Sequence, residues 1–577
     1  MKDLKRLFRF ALPHRQYFIL AFVFCVVETV FELIIPMIMA DILDVGVVNH
    51  DVNYILRQGA LMIFCALLSL ITGLLFAKNS AKATTAFGAE LRKAEFRKIQ
   101  EYSFANLDHF ETSSLITRLT SDVTVMQNAI TGGMRPFIRG PLMLVLGLGL
   151  AICINAKLAL VFAVAAPVLG FILFQIVRRI APMYGKLQKA VDLVNVIVQE
   201  NLNAIRVVKA FVRGDYEEAK FDEVNTNLMT TSEKTFHTAV LNMPSFQLTM
   251  YSAIIMILWF GAQLIFVQEM QVGELTGFLS YVLQIMNSLM MISNVFLMLT
   301  RSLASARRII AVFDEPLDLI NQESTLKVEH GTIDFEHVSF KYNVDAEEYA
   351  LADINLHIKE GQTIGIIGGT GSAKSTLVQL IPRLYDVTEG CLKVGGHDVR
   401  EYDLEHLRDA VGIVLQKNVL FSGTIRENLL WGNKNVSEEE INWACQTACV
   451  DEFLTHFPNG LETDLGQGGV NVSGGQKQRL CIARTLLKHP KIIIFDDSTS
   501  AVDTATEAKI RQGLSELKDL TKIIIAQRVT SVMHADQIVI LEDGKVHAIG
   551  NHETLLASDP IYQEIYYSQQ KGGKNNG

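Results

Sequence analysis

Apolar residues crowd the first three hundred positions of the chain and then thin into short, punctuated runs. In the first part the apolar stretches are long: Tyr17 to Met39, Ala60 to Ala77, Pro141 to Ile154, Leu158 to Val177, Ala239 to Val267 and Leu275 to Leu299. A helix crossing the hydrocarbon core of a bilayer takes about 20 such residues, so the pattern predicts six spans. The first run is too long for the core of a signal peptide and lacks a small-residue cleavage site, which predicts that it is retained. The third is only 14 residues long; its helix is expected to begin earlier and to carry Arg135 and Arg139 in the inner leaflet.

Between spans two and three, and again between four and five, lie roughly sixty residues with helical periodicity and few breakers. These predict helices that run well out of the membrane. Lys2, Lys5, Arg6, Arg9 and Arg15 precede the first span and both long inserts are rich in Lys and Arg, whereas the turn at Asn155 to Lys157 is tiny. By the positive-inside rule the amino terminus and both inserts are cytosolic. Six spans then return the rest of the chain to the cytosol.

Near Leu317 to Val328 the sequence turns polar, and beyond it the apolar runs shorten to strand length between glycines. The domain boundaries expected are therefore 1–316 for the membrane part, 317–328 for a linker and 329–577 for a soluble α/β domain. Composition agrees: 577 residues, 49% hydrophobic, with a mean hydropathy of +0.25, exceed one ordinary soluble domain. The net charge of −9, with no basic tract interleaved with aromatics, argues against nucleic acid as a partner. The seven cysteines, Cys25, Cys65, Cys153, Cys391, Cys445, Cys449 and Cys481, are odd in number and form no CxxC, so they predict buried thiols rather than disulfides or a zinc site.

The soluble part carries the chemistry. TIGIIG (Thr363 to Gly368) reads as a buried strand running into GGTGSAKS (Gly368 to Ser375). There a glycine-rich turn points backbone N–H groups at phosphate oxygens and the following helix adds its positive end. Gly368, Gly369, Thr370, Gly371, Ser372, Ala373, Lys374, Ser375 and Thr376 are the candidate nucleotide contacts, with Lys374 reaching the terminal phosphates and Ser375 the metal. Downstream come VSGGQKQR (Val472 to Arg479) and KIIIFDDS (Lys491 to Ser498).

This order of motifs resembles the nucleotide-binding domain of an ABC transporter. The segments FETSSLITRLTSDV (Phe110 to Val123) and VQENLNAIRVVKAFVRGDYEEAKF (Val198 to Phe221) resemble the intracellular loops of ABC exporters, whose short transverse helices dock on such domains, so the resemblance covers essentially the whole chain. It implies a six-helix transmembrane domain with long cytosolic extensions followed by an α/β P-loop ABC nucleotide-binding domain. The implied activity is ATP hydrolysis coupled to export, with ATP and Mg2+ as cofactors, in the cell membrane of a bacterium. Tyr342, which ends FEHVSFKY (Phe335 to Tyr342), matches the aromatic that stacks on adenine. Gln416 matches the Q-loop glutamine at the magnesium ion, Asp496 the Walker B aspartate that holds the metal, and Asp503 in SAVD (Ser500 to Asp503) the D-loop. IRENLLWG (Ile425 to Gly432) matches a region facing the docking helices.

In this family Ser473, Gly474, Gly475 and Gln476 close over ATP held by the P-loop of a second subunit, so the resemblance implies a second half-transporter as partner. Three positions depart from the pattern. Ala373 replaces a glycine, placing a methyl group where the backbone favours none. Asp497 stands where a glutamate polarises the attacking water, its carboxylate one methylene, about 1.5 Å, further back, although a general base must lie within hydrogen-bonding reach of its proton. Gln527, in IIIAQRVTSV (Ile523 to Val532), replaces a histidine and cannot carry positive charge. All three belong to the site on this chain's own P-loop, whereas the serine–glycine motif is nearly intact. That asymmetry implies a heterodimer with one degenerate site. The alternatives are a slow homodimer in which Asp497 and Gln527 are drift, and a regulatory subunit that binds ATP without productive turnover.

The cargo expected is an amphiphilic small molecule, drug or lipid-like, with membrane lipid around it; a lipid or peptide exporter of narrow selectivity is the rival. No cysteine-protease domain precedes the first span, which disfavours an exporter that processes leader peptides. Glu28 and Glu32 lie one turn apart in span one, and intramembrane acids are costly enough to suggest function. They would attract cationic amphiphiles, neutralise Arg135 and Arg139, or lie near the lipid headgroups. Asp41 and Asp44 lie near the outer end of that span and are candidates for an extracellular gate.

Overall fold

The computed structural model describes residues 2–343, 346–497 and 502–574. The chain forms two compact units, Met1–Glu101 with Glu111–Glu315, and Tyr102–Phe110 with Pro316–Gly577. The short segment Tyr102–Phe110 thus leaves the membrane part of the sequence to pack with the soluble part.

Besides two short helices, Lys2–Leu7 and Thr112–Thr117, the α-helices of the first part are in chain order α1 (Arg15–Asp41), α2 (Val52–Gln100), α3 (Phe104–Asp108), α4 (Val123–Ile154), α5 (Ala156–Asn203), α6 (Ile205–Ala210), α7 (Gly214–Val240), α8 (Asn242–Phe266) and α9 (Val272–Asp314). All but α3 belong to the first unit. Among the described residues six helices are long and apolar enough to cross a membrane. At 1.5 Å per residue, the 49 residues of α2 reach about 74 Å, more than twice the roughly 30 Å of a hydrocarbon core. The predicted cytosolic extensions are therefore continuations of the spans themselves. The third span does begin early: α4 carries both Arg135 and Arg139. The fifth is interrupted at Leu241, three residues before Pro244, whose missing N–H and fixed φ suit a first helical turn and no other.

Inside this unit, Arg135 pairs with Glu28 and Arg139 with Glu32, so the four charges predicted from sequence neutralise one another between α1 and α4. Glu28 is 3% exposed. Gly73 of α2 makes its burial possible: a Cβ there would lie 2.9 Å from Glu28 Oε1. Phe76, one turn on, puts its ring 5.7 Å from the Arg135 guanidinium. At the far end of α1, Asp44 accepts from the N–H groups of Gly273 at 2.6 Å and Glu274 at 2.9 Å, joining α1's end to the start of α9. Asp41 is exposed. Five of the cysteines are buried as expected, but Cys153 is exposed at the end of α4 and Cys391 only half-buried.

Among the described residues the second unit holds ten strands: β1 (Ile333–Phe340), β2 (Leu351–Ile358), β3 (Thr363–Gly368), β4 (Glu389–Val394), β5 (His397–Asp398), β6 (Val411–Val414), β7 (Ile492–Asp496), β8 (Thr521–Ile525), β9 (Gln537–Glu542) and β10 (Lys545–Gly550). They form an antiparallel sheet in the order β2-β1-β4-β5 and a six-stranded sheet in the order β10-β9-β3-β8-β7-β6. In the second sheet β3, β6, β7, β8 and β9 are parallel. Their isoleucine-rich runs are buried on both faces, as a parallel sheet requires. Three helices matter below: α10 (Lys374–Leu380), α11 (Gly474–Leu486) and α12 (Pro560–Lys574).

Candidate functional site

Ligands of open parallel sheets bind beyond the carboxyl ends of the strands, and β3, β7 and β8 deliver the candidate residues there. At the end of β3, Gly368 lies so close to β9 that a Cβ would stand 2.2 Å from Leu541 O. Beyond it Gly369 and Gly371 face open space, with nothing within 4 Å of an added Cβ, and Thr370 is exposed beside them. This is an open backbone cradle at the amino end of α10, of the kind that takes phosphate. Ala373 adopts φ 63° and ψ 27°, a left-handed conformation that costs a residue with a side chain roughly 1–2 kcal/mol. The anticipated backbone conflict is thus present.

Lys374 Nζ donates to Gly368 O at 3.0 Å, Gly369 O at 2.6 Å and Ser372 Oγ at 3.1 Å. Burial lowers its pKa, opposed by the charges of Asp497 and Asp496. Ser375 Oγ donates to Asp496 Oδ1 at 2.7 Å. Burial raises the pKa of Asp496, with Asp497 adding to the effect. These hard oxygen donors fit a divalent cation such as magnesium. Asp497, at φ 45°, accepts from Gln527 Nε2 through Oδ2 at 2.7 Å. The two residues expected from sequence to face the attacking water are bonded to each other.

Tyr342 shares a 2.8 Å hydrogen bond with Thr376 Oγ1 of α10 and is flanked by Phe340 and Tyr385 at centroid distances of 4.9 and 5.3 Å. Half its surface stays open. Gln416, two residues past β6, is exposed. Trp431 stacks on Phe421 at 4.1 Å while remaining largely exposed. Asp503 caps the helix Thr504–Ser515 through Thr506 N at 3.0 Å, whereas Ser498, Ser500 and Ala501 lie outside the described residues.

The serine–glycine motif is not brought to the P-loop. Ser473 caps α11 in a reciprocal box with Gln476, and α11 packs in a helical core around Leu480 and Phe495, separate from the core under α10. Among the described residues no hydrogen bond joins Ser473, Gly474, Gly475 or Gln476 to the phosphate cradle. Sequence reasoning missed Tyr385, whose phenol donates to Asp108 Oδ2 of α3 at 2.8 Å, and Gln569 of α12, whose carboxamide binds the backbone around Gln527. Neither belongs to a motif.

Residues 18–289 match the ABC transporter transmembrane region family and residues 351–500 the ABC transporter family. The chain is 39% identical over 550 residues, 95% of its length and 96% of the relative's, to the uncharacterized ABC transporter ATP-binding protein YfiB of Bacillus subtilis. The chain belongs to the ABC transporters. It is also 31% identical, over 99% of its length and all of the relative's, to the putative multidrug export ATP-binding/permease protein YgaD of the same species. Its fold matches that of a bacterial Atm1-family ABC exporter with ATP bound, at a TM-score of 0.80 and 22% identity over 96% of this chain and 99% of the other. This ABC exporter is thus a multi-pass membrane protein that fuses one transmembrane region to one cytosolic ATP-binding domain, an ATPase coupled to transport.

Proposed function

We propose that this chain is one half of a heterodimeric exporter of amphiphilic small molecules, whose own P-loop site turns over slowly and whose serine–glycine motif completes a competent site on the partner. The observation that carries the reading is the 2.7 Å bond from Gln527 to Asp497. One amide proton of Gln527 is occupied by the carboxylate that would have to polarise water, and that carboxylate is already one methylene short. Ala373 in the left-handed region adds to the deficit. By contrast, the Ser473 box keeps α11 in good order.

ATP would lie in the cradle from Gly368 to Thr376, its adenine against Tyr342, with Lys374 turning from the loop carbonyls to the terminal phosphates. Ser375, Gln416 and Asp496 would hold magnesium, which supplies charge neutralisation at the phosphates. Burial lowers the proton affinity of Lys374, and exchanging neutral carbonyls for phosphate oxygens would favour its charged form. Support for a partner comes from α6 and the residues after it, where Phe211 and Val212 are 74% and 87% exposed, an apolar tip that a second subunit would cover. Support for a greasy cargo comes from a cavity of about 740 Å3 in the first unit, lined by Phe18, Phe22, Phe137, Met126, Met134 and Met298. Among the described residues no carboxylate lines it, and Glu28 and Glu32 are committed to arginines, which favours neutral over cation-selective export.

Silencing each site in turn tests the reading. Expressed with its partner, Ser473→Ala should abolish most steady-state ATP hydrolysis, while Asp497→Ala should cost far less. Equal damage from both, or robust turnover by the chain purified alone, would sink the heterodimer.

A further inference from the structure

Gln569 lies on α12, and its carboxamide is used on both sides. Oε1 accepts from Val529 N–H at 2.9 Å, and Nε2 donates to Gln527 C=O at 2.8 Å. The backbone from Gln527 to Val529, the switch segment, leaves β8, and among the described residues no strand pairs with it there, so this one side chain supplies what a neighbouring strand would otherwise give. The side chain of Gln527 in turn donates to Asp497. A continuous series of hydrogen bonds therefore runs from α12, through the backbone of the switch segment, to the carboxylate beside the P-loop.

The helix that carries Gln569 is firmly seated. Tyr562 is fully buried and its hydroxyl lies 2.6 Å from His552 Nδ1. Ile565 and Tyr566 pack on the same apolar cluster as Val529 and Val532, so α12 and the switch segment share one floor. Gln569 itself is exposed; burial does not account for its place, whereas its two backbone partners do. A single-sided amide would leave the segment free to pivot, but a carboxamide bound at both ends fixes the distance and the plane of the Gln527 peptide.

We infer that Gln569 is a positioning residue for ATP hydrolysis, acting through Gln527 on Asp497 at this chain's own P-loop. The inference rests on the reading of Asp497 and Gln527 as the water-facing pair of that site. Its physical content is narrow: the carboxamide holds the backbone from which Gln527 reaches Asp497, and its loss lets the carboxylate drift from the position it needs near the attacking water.

The test uses the full-length transporter in membrane vesicles carrying Ser473→Ala, where the partner's site is silenced and slow hydrolysis of [γ-32P]ATP reports on this chain's P-loop. There Gln569→Ala should lower kcat about fivefold, the scale of one lost hydrogen bond, with KM for ATP unchanged within about twofold. Adding Asp497→Ala should lower it no further than Asp497→Ala alone. Hydrogen exchange gives a second readout independent of activity: the Val529 amide should lose protection in Gln569→Ala but keep it in Gln569→Glu, which retains the acceptor and loses the donor, while kcat falls in both. If Asp497→Ala lowers the residual rate and Gln569→Ala does not, the positioning role is overturned although the site reading stands. If Asp497→Ala itself has no effect, the site reading fails and the role with it, even where Val529 protection behaves as described.

Discussion

Tyr385 Oη donates to Asp108 Oδ2 at 2.8 Å, tying α3 to the segment that follows the P-loop helix. The tie has neighbours: Asn106 Nδ2 donates to Pro316 O at 2.7 Å, Ser103 bonds Asp318, and the Phe104 ring lies 6.0 Å from that of Tyr385. Tyr385 also meets Tyr342 edge-on at 5.3 Å. Burial and the Asp108 carboxylate push the Tyr385 phenol's pKa up, so it remains a donor at any physiological pH. Tyr385→Phe keeps the ring and deletes the bond, at a cost of about 1 kcal/mol. The expected result is normal ATP affinity with fewer molecules exported per ATP hydrolysed, read from paired transport and ATPase assays in vesicles.

Ala373 yields a contrast between two substitutions. Ala373→Gly relieves the left-handed strain but frees the unfolded chain, so the unfolding free energy should move by less than about 0.5 kcal/mol. Ala373→Val, β-branched at the same φ, should lose about 1–2 kcal/mol more and weaken ATP binding. Thermal unfolding with and without ATP distinguishes them.

The intramembrane pairs allow a sharper expectation than charge alone. Arg135→Met strands Glu28 in a buried position and should lower folded yield, at a cost of about 3–5 kcal/mol; Glu28→Gln in the same chain should recover part of it. Matched cationic and neutral dyes, normalised to folded protein, should lose transport equally. A selective loss of the cationic dye would reverse the assignment of Glu28 as a structural partner.

Glu95 sets a pH dependence. It sits on α2 well past Ala77, in the cytosolic extension, fully buried, and among the described residues neither carboxyl oxygen has a hydrogen-bond partner. Burial, followed by the charge of Asp122, raises its pKa to about 7, with Arg118 opposing; from α9, Arg308 Nε is held by Asp122 at 2.7 Å. An acid whose folded pKa is raised stabilises fully below its ordinary pKa of 4.5 and loses that contribution as pH rises through about 7. Unfolding midpoints of the wild type should therefore fall between pH 5 and 8 relative to Glu95→Gln, by an equivalent of order 1–3 kcal/mol.

Much of the architecture was legible because each level left its own mark. Run length announced the spans, and the early start of α4 followed from the short apolar stretch at Pro141. The P-loop strand, its turn and Ala373's strain followed from residue types whose backbone limits are intrinsic. What stayed hidden depends on packing between distant segments. The spacing of Glu28 and Glu32 matched both a cation site and an ion-pair ladder; only the approach of α4, with Gly73 vacating space, decides between them. Gln569 gave no signal, since any exposed glutamine near a terminus looks alike until its carboxamide finds two backbone partners some forty residues earlier. Tyr102–Phe110 reads as one more helical stretch of an insert, yet its polar face belongs with the soluble unit.

The paired charges on α1 and α4 also govern motion. Two rungs one turn apart fix both the axial register and the azimuth of a helix pair: a slide of a single residue, 1.5 Å and 100° of helix, would break both together inside low-dielectric surroundings. Such a double key opposes sliding of α1 against α4, so the two helices are expected to move together. Bending that admits and expels cargo is then expected in helices that lack such keys.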